Sequence, residues 1–540
     1  MKEKHDYVKV AYYEPDPSEV HKVVLLYSGG LDTSVMIKWI QDVYKAEVIA
    51  LCIDIGQQAD DLEEVRKKAL RLGAVKSIVI DAKDEFAEEY IARGIKANGS
   101  YQGKYHLSTP LGRPLLAKIA VEIAEKEKAD TIAHGCTGKG NDQVRLEGTA
   151  ITLNPDIKVI APVREWGMGR EEEIAYAKKH NIPIKKTTPV PYSWDDNMWG
   201  VTGEGGEIEN PELIPPLEKI LQVCNLPQKA PNKAEKIRIE FVKGTPVALN
   251  GTEMKLSDLI MKLNKIAAKH GVGISHHLED RVVGLKVRGI YEMPAAHTII
   301  TAHREIEKFM CTRRENKFKT FVDQEWAYLC YGGFWYEPLM KNLNAYLDEV
   351  NKKVNGTVTL RLYKGNCDVV AIKSPDALFD EKMATFMRSE IFNQNASPGF
   401  IELWTLQMKM SKRVRKNVLL SIGKQEDKEK LLPHIKNLAK LNVKLYATEG
   451  TAKFLEKNGL KVSALYKISQ KKKPNIAGFI KHKRFDLVIN IPNGKKRKAI
   501  TDGQMIRKRT LEKEIHLITD REVAIDTINK LTKVGKNSYY

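Results

Sequence analysis

The chain has 540 residues, of which 42% are hydrophobic and 29% charged, with six cysteines and a formal net charge of +19. That length exceeds a single core and points to roughly two to four domains of soluble globular composition. No apolar run nears the roughly 18 residues of a bilayer span.

Residues 1–13 are polar and carry no apolar core of the secretory type. Cys52, Cys136, Cys224, Cys311, Cys330 and Cys367 show no C-x-x-C spacing. That speaks against a zinc ribbon, a redox dithiol or a disulfide scaffold and fits a reduced, cytoplasmic setting. The charge is unevenly spread. Residues 411–540 hold 32 Lys and Arg against 12 Asp and Glu, whereas the first 410 hold 56 against 57. The basic character therefore belongs to a C-terminal unit of its own.

In chain order, 23–27 reads as a buried strand and runs straight into Ser28-Gly29-Gly30-Leu31-Asp32-Thr33-Ser34, then a helix over 35–43. Strands are expected at 47–52, 77–80, 131–133 and 158–163, with helices between them at 61–72 and 114–127. That alternation implies a doubly wound, mostly parallel sheet with ligands at the carboxyl ends of its strands. From Lys186 the sequence turns loop-rich, with Pro189, Pro191, Gly200, Gly203, Gly205 and Gly206. An α+β unit follows, with a strand at 237–241, a helix at 256–270 and strands at 358–363 and 368–372. Residues 409–416 read as a linker. A smaller α/β unit then has strands at 417–422, 444–447 and 486–491 and helices at 427–441 and 451–458. The boundaries expected are an extension 1–21, a nucleotide-binding domain 22–190, a synthetase domain 191–410 and a C-terminal domain 414–540.

The glycine-rich turn joins a strand to a helix, so backbone N–H groups and hydroxyls face one opening, an arrangement suited to a pyrophosphate. Neither the Walker pattern nor G-x-G-x-x-G is present. The turn resembles the PP-loop of ATP pyrophosphatases, which cleave ATP between its α- and β-phosphates. Further runs narrow the choice. Tyr101-x-x-x-Tyr105 leads to Thr109-Pro110-Leu111-Gly112-Arg113-Pro114, and His134-Gly135-Cys136-Thr137-Gly138-Lys139-Gly140-Asn141-Asp142 to Arg145. Pro191-Tyr192-Ser193-Trp194-Asp195 comes next, then Glu279-Asp280-Arg281 and Arg288-Gly289-Ile290-Tyr291. In this order they resemble argininosuccinate synthase over about residues 22–410.

The resemblance implies that Leu26, Tyr27, the Ser28–Ser34 turn, Ile53 and Gly135 hold ATP, with Asp195 also at the nucleotide. Thr137, Asn141 and Asp142 would hold aspartate. Tyr105, Asn141, Arg145, Ser193, Thr202, Glu204, Glu279 and Tyr291 would orient citrulline. It also implies a homotetramer. A ureido oxygen is a poor leaving group, so adenylation and loss of pyrophosphate would precede attack by the aspartate amine. Positioning and charge stabilisation would carry the reaction, with no protein nucleophile. Mg²⁺ would accompany ATP. Asp142 is the first choice for a general base. His134 reads as a structural histidine, and Glu279 and Arg281 also fit an ion pair. His276 and His277 are not read as metal ligands, since adjacent side chains diverge. The chain departs from the commonest pattern of the family at Pro110, Thr202, Asp280 and Val287.

From about Val414 the chain resembles the methylglyoxal-synthase-like domain of carbamoyl phosphate synthetases. The matching residues are Ala447-Thr448-Glu449-Gly450-Thr451, Pro474-Asn475-Ile476, Val488-Ile489-Asn490 and Thr501-Asp502-Gly503 with Arg507. Thr448, Gly450 and Thr451 at a helix start, with Lys473 and Arg507, make a candidate phosphate pocket. Lys472-Lys473 stands where the lyases carry their catalytic carboxylate, so the unit is expected to sense a phosphorylated metabolite. Alternatives are a solvated basic surface (Lys471 to Lys473 and Lys495 to Lys498) or an RNA-binding face on a PP-loop tRNA-modifying enzyme. Few aromatics, apart from the terminal Tyr539-Tyr540, interleave the basic residues, so nucleic acid is disfavoured. A non-catalytic sensor keeping the ligase fold is the remaining rival.

Overall fold

The structure is a computed structural model describing residues 8–58, 61–183, 191–385, 391–413, 416–441, 443–470, 472–493 and 501–537. The first seven residues, Lys186, Pro189, Val414, Lys471, Lys495 to Lys498 and Tyr539-Tyr540 lie outside that set. Contacts divide the chain into two compact units, Met1–Glu381 and Lys382–Tyr540.

The first unit opens on a five-stranded parallel sheet of β1 (Lys22–Leu26), β2 (Glu47–Asp54), β3 (Lys76–Asp81), β4 (Thr131–Ala133) and β5 (Lys158–Ile160), in the order β3-β2-β1-β4-β5. Val23, Val24 and Leu25 are fully buried, as a central strand with both faces covered requires. Leu26 pairs with Leu51 and Leu25 with Ala133, so the turn after β1 opens at the carboxyl edge, where the strand order changes direction. The strand expected at 158–163 stops at Ile160 because Pro162 opens a short helix, Pro162–Glu165.

The Ser108–Glu127 helix starts six residues earlier than expected. Pro114 is its expected first residue, but Pro110 and Pro114 both lie inside it. Pro110 falls in the first turn, where an amide has no partner within the helix, so a missing N–H there costs little. The glycine-rich stretch after Pro191 is also not a loop. It forms the hairpin β6 (Tyr192–Asn197) and β7 (Gly200–Gly205). A β-carbon on Gly200 would stand 2.8 Å from Met293 Cγ and one on Gly203 3.4 Å from the Ile290 carbonyl oxygen. Those glycines let neighbouring backbone pack closely.

Seven further strands follow: β8 (Glu235–Val242), β9 (Thr245–Leu249), β10 (Thr252–Glu253), β11 (Ile274–Asp280), β12 (Lys286–Glu292), β13 (Gly356–Tyr363) and β14 (Asn366–Lys373). Two antiparallel sheets result, β11-β12-β7-β6 and β10-β9-β8-β13-β14. The helices Leu256–Lys269 and Pro294–Met310 pack their apolar faces into the same core as β8 and β13.

In the second unit the proposed linker at 409–416 is largely helical, within Leu406–Arg413, and β15 (Lys416–Ile422) follows. With β16 (Val443–Thr448), β17 (Ser463–Leu465), β18 (Leu487–Ile491) and β19 (His516–Ile518) it builds a parallel sheet ordered β17-β16-β15-β18-β19. This sheet has its own core, including Leu420, Ile435, Leu455 and Ile489. The chain is therefore mixed α/β: a doubly wound parallel sheet, an antiparallel synthetase region and a second, smaller parallel α/β unit.

Candidate functional site

At the carboxyl edge of β1 a cavity of 880 Å³ is lined by Leu26, Tyr27, Ser28, Gly29, Gly30 and Leu31, with Ile53 from β2. Gly29 has φ +79°, and a β-carbon there would lie 3.0 Å from both γ-carbons of Val65. Gly30 caps the Leu31–Val43 helix without a side-chain cap, which leaves that helix's first amides for a ligand. Asp32, Thr33 and Ser34, also expected at ATP, do not line the cavity. Asp32 pairs with Arg170 at 2.6 Å. Thr33 Oγ1 lies 3.2 Å from Ser28 Oγ, and Ser34 Oγ donates to the Gly30 carbonyl at 2.6 Å. They brace the turn from behind.

A second cavity, of 290 Å³, collects every residue expected at the two amino acids. Thr137, Asn141 and Asp142 line it from the segment after β4, and Arg145 stands one turn into the Asp142–Leu153 helix. Tyr105 and Tyr291 lie with ring centroids 4.3 Å apart. Tyr105 Oη accepts the Thr109 amide at 2.9 Å. Ser193, Thr202 and Glu204 enter from the β6–β7 hairpin and Glu279 from β11. Gly135 lines this cavity, not the nucleotide one, and a β-carbon on it would meet Met36 Cε at 2.8 Å.

Three buried polar atoms of residues lining this cavity lack a hydrogen-bond partner among the described residues: Arg113 Nε, Arg145 Nη2 and Glu279 Oε2. Burial pushes the Glu279 carboxyl up, against the Tyr291 hydroxyl, Arg145 and Arg281. An unmet donor and an unmet acceptor lining one pocket suit an α-amino acid or a ureido group. Glu279 and Arg281 form only a loose pair, 3.9 Å apart, because Arg281 Nη2 donates to Glu204 at 2.5 Å. Asp142 accepts from Arg113 and Arg145, each at 2.8 Å. Against the cost of burial, these guanidinium groups hold its carboxyl down to about 2. A carboxylate so held binds cations well and takes up protons poorly, which weighs against a role as general base. His134 accepts the Cys136 amide on Nδ1 at 3.1 Å and meets Glu147 through Nε2 at 3.0 Å, which fits a structural role.

The two cavities share Arg113, Trp194 and Asp195. Arg113 donates through Nη2 to both Asp142 and Asp195, tying the helix start at Asp142 to the β6 carboxylate. Its place at this seam was not assigned from the sequence. Tyr331 was missed outright. Its hydroxyl accepts Asn141 Nδ2 at 2.8 Å, its carbonyl accepts Arg145 Nε at 2.9 Å, and its ring stacks on Tyr101 with centroids 3.5 Å apart. The signal for it was Gly332-Gly333 behind the tyrosine, a helix stop whose Gly333 has φ +84° and leaves Arg145 room.

In the second unit, Thr448 precedes the Glu449–Lys457 helix at the carboxyl end of β16. Thr451 is buried, and its hydroxyl accepts the Ile422 amide at 3.1 Å, which ties the helix to β15. A β-carbon on Gly450 would meet nothing within 4 Å. Arg507 donates to Asn490 Oδ1 at 2.6 Å, and Lys473 is exposed. Thr448, Gly450, Thr451 and Arg507 thus stand at or beside the carboxyl ends of β16 and β18, and Lys473 lies in the segment after β17. Thr451 is occupied by its own fold. Among the described residues no cluster of His, Cys, Asp and Glu is arranged to hold a metal, and no helix is long and apolar enough to cross a membrane.

Comparison with known families matches residues 22–183 to the arginosuccinate synthase N-terminal HUP domain, 192–411 to the arginosuccinate synthase C-terminal domain and 430–519 to the MGS-like domain. Among curated relatives, argininosuccinate synthase of Brevibacillus brevis is 50% identical over 398 residues, 74% of this chain and 94% of that protein. The Pyrococcus furiosus protein of the same name is 50% identical over 386 residues, 72% and 93% of the two chains. That of Streptococcus mutans is 49% identical over 393 residues, 73% and 98%.

Proposed function

Because the chain belongs to the argininosuccinate synthases, which are ATP-dependent ligases, we propose that it converts ATP, L-citrulline and L-aspartate to argininosuccinate, AMP and diphosphate through a citrullyl-adenylate, a step of arginine biosynthesis. The observation that carries the reading is the pair of unmet groups, Arg145 Nη2 and Glu279 Oε2, in a cavity sharing Arg113 and Asp195 with the nucleotide cavity. The ureido oxygen attacks the α-phosphorus and diphosphate leaves. The aspartate amine then attacks the activated carbon and AMP departs with the former ureido oxygen. Tyr105, Arg145, Glu279 and Tyr291 orient citrulline, while Thr137, Asn141 and Asp142 hold aspartate. The turn amides of Gly29 to Leu31 receive the phosphates. Arg113, at the seam, faces the charge that develops there. Mg²⁺ arrives with ATP. Asp195 and Asp196 border the nucleotide cavity, in keeping with a cation held by one or two carboxylates and the phosphates.

Citrulline labelled with ¹⁸O on the ureido group tests the route. One labelled oxygen should appear in AMP, and unlabelled AMP would overturn the adenylate. Membership of this family displaces the tRNA-modifying alternative.

The domain boundaries given above belong to the same proposal, with 414–540 as an effector unit for a phosphorylated metabolite. The open Gly450 turn after β16 and Arg507 beside the end of β18 support it. A homotetramer is proposed too. Phe400, Ile401, Leu403, Trp404 and Met408 are exposed on helices Ser397–Trp404 and Leu406–Arg413, which favours self-association. Sedimentation should return four times the chain mass. The six unbonded cysteines support a reducing, cytoplasmic setting.

A further inference from the structure

The segment ahead of residue 22 lies outside the matched family regions, yet its side chains reach the support of the active-site loop. Backbone contact fixes it first: the Val159 amide donates to the Tyr13 carbonyl at 2.9 Å, docking the segment against β5. Tyr13 Oη then donates to Glu147 Oε2 at 2.9 Å. Burial and the Glu147 charge push the phenol up, so it stays a donor. Glu14 Oε1 lies 3.5 Å from Arg164 Nη2 and its other oxygen accepts the Val10 amide at 3.0 Å.

Glu147 and Arg164 pass this support inward. Glu147 Oε1 meets Arg164 Nη1 at 2.5 Å and His134 Nε2 at 3.0 Å. The far nitrogen of His134 accepts the Cys136 amide. Arg164 Nη1 also donates to Gln143 Oε1 at 2.8 Å, and Gln143 Nε2 donates to the Gly140 carbonyl at 3.3 Å. The loop 135–141 is thus held from behind at both ends, at Cys136 and at Gly140. Its front presents Thr137 and Asn141 to the amino-acid cavity.

We propose that Tyr13 and Glu14 are positioning residues for the aspartate site, acting through Glu147, Arg164, His134 and Gln143. The proposal rests on the reading that loop 135–141 holds aspartate. Removing the phenol hydroxyl leaves a buried carboxylate oxygen short of a donor and loosens one anchor of the loop. Of the citrulline contacts, Glu279, Tyr291 and Tyr105 come from elements the network does not touch, and Arg145, which shares a helix with Gln143 and Glu147, is held separately by the Tyr331 carbonyl and Asp142. The effect therefore falls on aspartate.

The test uses the full chain carrying Tyr13→Phe, Glu14→Gln and both together. With one hydrogen bond worth roughly 1 kcal/mol, the aspartate KM should rise about fivefold in Tyr13→Phe and further in the double variant. Citrulline-dependent exchange of pyrophosphate into ATP, which needs no aspartate, should stay within about twofold of wild type. An unchanged aspartate KM in the double variant would overturn the proposal. So would a parallel loss of pyrophosphate exchange and of all three KM values, since that is the signature of a weakened scaffold. Product formation by the wild type from citrulline and aspartate checks the underlying reading separately. A wild type that turns over with unaltered variants leaves the reading intact and removes only this proposal.

Discussion

Arg113 sits between two carboxylates and two cavities, so its loss has consequences on both sides. Arg113→Lys keeps the charge but cannot offer the guanidinium's planar fork to Asp142 and Asp195 together. If the developing charge at the α-phosphate is its target, kcat should drop about a hundredfold or more with little change in the ATP KM. A wild-type kcat in Arg113→Lys would rule that role out. Glu279 is testable by pH. Its carboxyl is raised in the folded state, chiefly by burial. The linked stability is therefore full below the unfolded value of about 4.3 and is lost as pH rises through the folded one. Glu279→Gln cannot ionise, so its Tm advantage over wild type should grow from pH 4 to pH 8 while the citrulline KM rises. A Tm difference that does not vary with pH would refute the assignment. Both residues stood in motifs legible in the sequence. What no spacing disclosed was that Arg113 closes on Asp195, 82 positions away, or that Tyr331 closes on Asn141, 190 away.

At the scale of elements, the strand–turn–helix of the nucleotide site was legible in kind and order, because a buried apolar run followed by Ser-Gly-Gly has few other solutions, although the helix starts at Leu31, ahead of the expected Val35. The turn's demand on Gly29 is steric as well as conformational, with φ +79° and Val65 at 3.0 Å. Gly29→Ala should therefore raise the ATP KM more than about tenfold, by roughly 1–2 kcal/mol of left-handed strain plus displacement of Val65. The citrulline and aspartate KM values should hold; if the ATP KM also stayed unchanged, the turn would not be the phosphate site. Where sequence reading failed, local rules met tertiary ones. Pro114 marks a helix start by propensity, yet the Ser108–Glu127 helix runs through it, with 13 of its residues buried. Glycines at 200, 203 and 205 signal a loop by composition. In the hairpin they are strand positions emptied of side chains so that Met293, Ile290 and Pro191 can approach. Neither override is visible without the neighbouring element.

At the scale of the molecule, the charge changes at residue 411, whereas contacts divide the chain earlier, into units Met1–Glu381 and Lys382–Tyr540, each built around its own core. Two cores predict two unfolding events in calorimetry, since cooperativity follows contiguous packing. The event belonging to the second unit should vanish in a chain ending at residue 413. A ligand that binds only the folded form of one unit raises that unit's transition by RT ln(1 + [L]/Kd), about 2.7 kcal/mol at a hundredfold excess over Kd. Phosphorylated metabolites that bind at the Thr448–Thr451 turn should therefore move the second transition and leave the first where it is. The excess of basic residues makes that shift salt-sensitive, because 32 Lys and Arg against 12 Asp and Glu hold anions partly through long-range attraction. Arg507→Ala should abolish the shift without altering ligase turnover in the absence of the ligand. A shift that survives Arg507→Ala, or that moves the first transition instead, would place the phosphate elsewhere and reduce the second unit to a basic surface.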